Sequence, residues 1–349
     1  MTSLPGSHPN AVRLPPPVGL HGGLRWLDAG LTNTQTERRK GGLRLHPGIH
    51  GLDLRDWLIF DDEESCAQEV ALKAKALDDP TRRPDVLQID DSSTRGAQKE
   101  AHDMIAEHLR LYGRLPNAAA AGHSTGDLEA ASRIVPEDLI LVHPGAEGQF
   151  CAVAACVCFS FGDLSNRIRN AQTMAQLHAK VDGYDAQLES PVNRLFKSLK
   201  VERPVWRTSW SISFSGSLEP DVMRYILNPE KRRRVFPDSK PPNDWGDGPD
   251  GAVKFLDTMG VADSLFVKVE YQAIRRLPVH SDYILSAVRT FLEPFSALRS
   301  LPRVADNLAS NVRRAIQTPF RSYKGLEDER IQQKILAYLD ECAHPVGSW

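Results

Sequence analysis

The segment 265–276, LFVKVEYQAIRR, puts a carboxylate, an amide and three cationic groups into what its β-branched and aromatic residues mark as one strand. Side chains alternate across a strand, so Val267, Val269, Tyr271 and Ala273 form an apolar side while Lys268, Glu270, Gln272 and Arg276 face something polar. The next strand, DYILSAVRTFLEP, carries Arg289 on the side of Tyr283, Leu285, Ala287 and Phe291, where a guanidinium needs a buried carboxylate or an anionic ligand. A turn at PVHSD with pairing centred near His280 sets Tyr271 against Arg289 and Glu270 against Thr290. An internal ion pair with Glu270 or a nearby acid would satisfy Arg289, and so would a ligand. The third group is His178. In DLSNRIRNAQTMAQLHAKV, Leu164, Ile168, Ala171, Ala175 and His178 recur at three- and four-residue steps, which predicts a helix with the imidazole closing its inner face. There it is either a satisfied core histidine or, through a neutral ring nitrogen, a metal ligand.

An α+β chain carries these groups. DLILVHPGAEGQFCAVAACVCFSF reads as a hairpin turning at a Pro/Gly cluster. Helices follow, one starting at SPVNRLFKSL with Ser190 as cap and Pro191 in its first turn. Three strands come next, PVWRTSWSISF, SLFVKVEYQAIRRL and DYILSAVRTFLEPF. Two strands, a helical crossover and three strands is the order of a PAS-like antiparallel sheet. We divide the chain into a flexible N-terminal tail over 1–42, a helical region over 43–133, a PAS-like core over 134–300 and C-terminal helices over 301–349 that pack on it. The tail follows from the prolines of PGSHPN and LPPP, and 113–133, rich in Ala, Gly and Ser, reads as a connecting loop. Between the first two strands of the meander, NPEKRRRVFPDSKPPNDWGDGPDG is a long irregular excursion whose KRRR run reads as solvated.

The 349 residues are 41% hydrophobic and 25% charged with a formal charge of -2, so no overall field draws the chain to nucleic acid or to an acidic membrane. A small-molecule or protein partner is expected instead. No apolar stretch reaches the about 20 residues of a membrane span, and no leader pattern opens the sequence, so a cytoplasmic setting is expected. The five cysteines form neither an even set nor a C-x-x-C pair, which argues against a disulfide framework or a tetrahedral zinc site.

Several blocks, SPVNRLFKSLKVERPVWRTSWSI, LFVKVEYQAIRRLP, SAVRTFLEPFSAL and YKGL, with GLDLRDWLIFDDE, VPEDLILV and AACVCF upstream, closely resemble the haem-dependent oxidative N-demethylases. The resemblance runs over residues 43–343 in order. It implies a PAS-like domain that binds haem b and activates dioxygen with electrons from a separate flavin and iron–sulfur reductase. The implied outcome is oxidation of a carbon next to an amine nitrogen, with collapse of the carbinolamine to an amine and formaldehyde. His178, in LHAKVDGY, matches the histidine of the family's I-H-x-P-V-P-G-Y segment and is implied as the iron ligand, with Tyr184 orienting it. Arg275 and Arg276 match the E-R-Q-T-L-R-R-L-P segment, and Arg289 or Arg276 is assigned to a haem propionate or an acidic cosubstrate. Glu270 and Gln272 are implied for the distal pocket, with Tyr271 between them, and Trp206 and Trp210 for its wall.

Five departures cluster near the implied pocket. Lys180 and Asp182 replace both prolines of the ligand segment, Tyr271 stands where the family usually has an arginine, Ser209 replaces asparagine and Phe291 replaces tyrosine. They point to a larger or less cationic substrate. The alternative to catalysis is a haem-PAS sensor or binding protein, although no kinase, cyclase or DNA-reading element is legible in the sequence.

Overall fold

The computed structural model describes residues 22–32, 37–39, 42–44, 48–60, 63–89, 91–112, 126–159, 173–179, 181–214 and 248–344. Apart from a small hairpin of β1 (Glu37–Arg39) and β2 (Gly42–Arg44), the strands form one sheet. They are β3 (His50–Gly51), β4 (Leu87–Ile89), β5 (Asp138–Pro144), β6 (Phe150–Cys156), β7 (Val205–Phe214), β8 (Leu265–Arg276) and β9 (Ile284–Pro294), in the spatial order β3-β7-β8-β9-β5-β6-β4. Every neighbouring pair is antiparallel. Numbered along the chain, the five central strands lie second, first, fifth, fourth, third. The fold is α+β. The register of β8 on β9 is the one the PVHSD turn predicts, with Glu270 opposite Thr290 and Tyr271 opposite Arg289.

The described helices are α1 (Gly22–Thr32), α2 (Glu63–Asp78), α3 (Arg83–Val86), α4 (Asp91–Leu111), α5 (Leu128–Ser132), α6 (Met174–Leu177), α7 (Tyr184–Gln187), α8 (Glu189–Ser198), α9 (Gly248–Met259), α10 (Val261–Ser264), α11 (Pro302–Ala315) and α12 (Glu329–Ala343). Because strand side chains alternate, the sheet has two faces of different character. One carries Val267, Val269, Tyr271 and Ala273 with Leu285 and Ala287, and these merge with Trp26, Leu27, Ala305 and Leu308 into the main core. The other carries Ile140, Val142, Ile274 and Ile284, over which Met174, Val192, Leu195 and Phe196 of the crossover helices pack.

Three expectations change. The tail expected over 1–42 contains α1, whose Leu24, Trp26, Leu27 and Leu31 are all buried. Each such side chain contributes about 1.5–3 kcal/mol when taken from water, which is why a short helix beyond the prolines docks rather than frays. Its first turn is also tied down, since the Gly23 N–H donates to Glu293 Oε1 at 2.6 Å. Second, the helical region over 43–133 supplies the edge strands β3 and β4, and the loop expected over 113–133 contains α5, capped by Asp127. Third, the long helix expected before His178 is described only as the single turn α6. Residues 160–172 lie outside the described residues, as does KRRR. No described helix is long and apolar enough to cross a membrane.

Candidate functional site

A cleft of about 780 Å³, part of it open solvent, lies on the second face between the crossover helices and the sheet. Its floor is Ile140 and Val142 from β5, Arg207 from β7, Glu270, Gln272 and Ile274 from β8, and Ser286 and Val288 from β9. Strand alternation brings these residues to one side, since Arg207 pairs with Gln272, Val288 with Gln272, and Ile140 with Ser286. The roof is Met174, His178, Tyr184, Pro191, Val192, Leu195 and Phe196, with Ile49 also lining the space.

Local chemistry fixes His178. Thr173 and Gln176 form a reciprocal capping box that starts α6, and Thr173 bridges to Cys151 of β6. The helix ends after one turn, and His178 is its C-cap. Imidazole Nδ1 stands 2.7 Å from the Met174 carbonyl oxygen. A carbonyl can only accept, so Nδ1 carries the hydrogen, and in the neutral ring the lone pair falls on Nε2. Gly183, at φ 76°, turns the chain back so that the Tyr184 ring stacks on the imidazole at 4.4 Å and 4°. The Tyr184 hydroxyl is enclosed without a hydrogen-bond partner, and burial pushes its pKa up to about 12.

The floor is charged. Lys268 Nζ lies 2.7 Å from Glu270 Oε1, and the Gln272 amide donates to Oε2 at 3.1 Å. Burial pushes the Glu270 carboxyl up, but Lys268 and Gln272 outweigh it and hold the group below its ordinary value. Arg207 is different: its Nε is enclosed without a partner, and burial pulls its pKa down. Beyond the floor, Gly325 at φ 73° comes so close to the Ile212 carbonyl that no side chain would fit, and the Lys324 carbonyl accepts from Ile212 N at 3.0 Å. This lays YKGL along the edge of β7. The Lys324 ammonium donates to the Trp210 carbonyl and stands over the rings of Trp210 at 4.7 Å and Tyr323 at 5.2 Å. Burial, then the positive charge of Arg207, pull the Lys324 amine down to about 7.

A folded pKa below the unfolded value of a lysine means that stability rises with pH between the two, because the unfolded chain holds the proton longer. Below the folded value both states are protonated and the full cost of burying the charge is felt. Lys324→Met is therefore expected to stabilise the protein more at pH 6 than at pH 9, by about 1–2 kcal/mol. Denaturant midpoints at the two pH values check this; an effect independent of pH would show that the amine is not depressed.

Of the residues singled out by sequence, His178, Tyr184, Glu270 and Gln272 line the cleft. Tyr271, Trp206, Trp210, Arg275 and Arg289 do not, and alternation explains why: Tyr271 opposes Thr208 and Arg289, Trp206 opposes Ala273, Trp210 opposes Val269, and Arg275 opposes Leu285, all on the core face. Tyr271 packs on Trp26 at 4.2 Å and Trp206 at 5.5 Å, and its hydroxyl donates to the Asp56 carbonyl at 2.7 Å. Arg275 stacks over Trp57 at 4.0 Å. Arg289 pairs with Glu69 and not with Glu270, contacts Cys66 Sγ at 3.7 Å and stands over Phe291 at 4.9 Å. Arg276 lies on the cleft side but spends its donors on the carbonyls of Phe196, Leu199 and Ser281, which holds the end of α8 against the β8–β9 turn. Sequence reasoning missed Arg207 and Lys324. The signal for Arg207 was its alternation with Ser209 and Ser211 on the polar side of PVWRTSWSI, which two tryptophans overshadow.

Among the described residues no cluster of three or more His, Cys, Asp or Glu side chains is arranged to hold a metal ion. The sequence model of a family described as haem-dependent oxidative N-demethylase, alpha subunit-like, matches residues 111–335, more than half of the chain and every cleft residue except Ile49. No curated protein matches the chain.

Proposed function

The chain belongs to the haem-dependent oxidative N-demethylase, alpha-subunit-like family, and on that premise we propose that it binds haem in the cleft and oxidises an N-methyl or secondary amine at the carbon beside nitrogen, releasing formaldehyde. One observation carries the reading: an imidazole whose Nδ1 is tied to a carbonyl, so that Nε2 bears the lone pair, lines a cleft walled by Met174, Val192, Leu195, Phe196, Ile274 and Val288. A nitrogen donor and apolar walls are what a haem requires of a protein. The central strand order supports a PAS-like core.

When bound, haem b would supply dioxygen activation, with electrons from a separate flavin and iron–sulfur reductase in the cytoplasm. The chain's own residues do the rest. His178 would hold the haem iron, and the Met174 carbonyl and the Tyr184 ring fix the plane of the imidazole. The roof and Ile274 exclude water. Glu270, held ionised by Lys268, acts as an acceptor that receives a hydrogen bond, and Gln272 orients it. Lys324, with a pKa of about 7, is suited to give and retake a proton near the floor. Tyr271 has no chemical role in this reading.

The test is to supply haem-loaded protein with reductant, oxygen and a panel of N-methyl amines. Oxygen uptake that depends on the amine, with matching formaldehyde, is expected. A haem that binds carbon monoxide while no amine stimulates uptake would reduce the protein to a haem-binding or sensing role.

A further inference from the structure

We propose that the substrate of this cleft carries an anionic group, in the simplest case the carboxylate of an N-methylated amino acid, and that Arg207 binds it. The inference rests on the oxidative reading above and narrows its substrate. Among the described residues Glu270 is the one carboxylate lining the cleft, and both of its oxygens are engaged, Oε1 by Lys268 at 2.7 Å and Oε2 by Gln272 at 3.1 Å. A simple alkylammonium would have to compete with Lys268 for that carboxylate. The pair is already electrically closed.

What is left over is positive. Arg207 belongs to the strand floor, its Nε is enclosed with no hydrogen-bond partner, and among the described residues no ion pair includes it. The groups whose charge bears on it are Tyr323, Glu270 and Tyr184, and Lys324 lies near enough to feel its charge in turn. The first and third are neutral phenols, and the second is held by Lys268. A guanidinium so placed presents a planar fork of donors that a carboxylate matches with two oxygens. Tyr184 also stacks on His178, which brings the anion site beside the residues that would hold iron. An N-methylated amino acid has its nitrogen one carbon away from its carboxylate. Arg207 would therefore fix the acid end while the N-methyl group lies in the apolar part of the cleft.

A carboxylate near Arg207 could come from the substrate or from a haem propionate, and the experiment separates the two. Binding of N-methylglycine, dimethylamine and acetate is measured by calorimetry on the haem-loaded protein, on its Arg207→Gln and Arg207→Lys variants, and on the haem-free forms, with haem content read in parallel. N-methylglycine is expected to bind about tenfold or more tighter than dimethylamine. Arg207→Gln is expected to weaken N-methylglycine by about 10–100-fold with dimethylamine changed less than about twofold and haem content unchanged, and Arg207→Lys should fall between. Dimethylamine binding as tightly as N-methylglycine would overturn the proposal, as would unchanged N-methylglycine binding in Arg207→Gln. Loss of haem from that variant with the ligand preference retained would assign Arg207 to a propionate and overturn it too. If the parent chain takes up no haem, the oxidative reading fails, and acetate binding to the haem-free protein with and without Arg207 still decides the anion site.

Discussion

His178→Ala is expected to lower retained haem to less than about a tenth of the parent level, with little change in melting temperature. The two halves of that expectation come from different features of the residue. The imidazole is half-buried, donates a hydrogen bond to the Met174 carbonyl and stacks on Tyr184. Losing a hydrogen bond of that kind costs about 1 kcal/mol, which the fold tolerates. Losing the nitrogen donor removes the one imidazole among the described residues that line the cleft. A histidine retained for packing would behave the opposite way, with haem held and stability reduced. Absorption spectra and thermal melts on the same samples separate the cases, and full haem occupancy with an unchanged axial-ligand spectrum would exclude His178. Tyr184→Phe serves as the control: its hydroxyl has no partner, so the ring stack survives and haem should be retained.

Arg289→Ala is expected to destabilise the protein by about 3–5 kcal/mol while the folded fraction keeps its haem. Arg289 is 3% exposed and lies on the core face, away from the cleft. Burial would pull its pKa down, but Glu69 and Glu137 outweigh burial and hold it above the ordinary value. Removing the guanidinium leaves Glu69 buried without its counter-ion beside Glu137, whose Oε2 has no hydrogen-bond partner. That uncompensated charge is the source of the cost. The double variant Arg289→Met with Glu69→Gln removes both charges and should recover much of the loss. Denaturant midpoints of the two single variants and the double variant give the coupling. A stable Arg289→Ala protein depleted of haem would instead return Arg289 to a propionate.

The sequence showed the skeleton of the site more clearly than its membership. Hairpin, crossover and meander were legible because β-branched runs, Pro/Gly clusters and turn residues act locally. The β8–β9 register followed from a short turn, and from it the pairing of Tyr271 with Arg289. What alternation could not say was which face held the cleft. Lys268, Glu270 and Gln272 were correctly set apart from Tyr271, yet the resemblance drew residues of both faces into one pocket. Arg289 was recognised as needing an anion, and its partner Glu69 lies 220 positions away on α2, a distance no local pattern spans. α1 was hidden by the proline-rich text before it, although Leu24, Leu27 and Leu31 keep helical spacing. Arg207 looked like one charge in an alternating strand. Only the fold shows that Lys268 occupies Glu270 while, among the described residues, the Arg207 Nε has no hydrogen-bond partner.

The most direct measurement is a haem titration of the haem-free protein, followed by reduction and carbon monoxide. Uptake that saturates at one haem per chain, with an absorption band that shifts on carbon monoxide in the parent and fails to form in His178→Ala, is the predicted result. A parent chain that takes up no haem from excess, or one that binds it equally well without His178, would contradict the account.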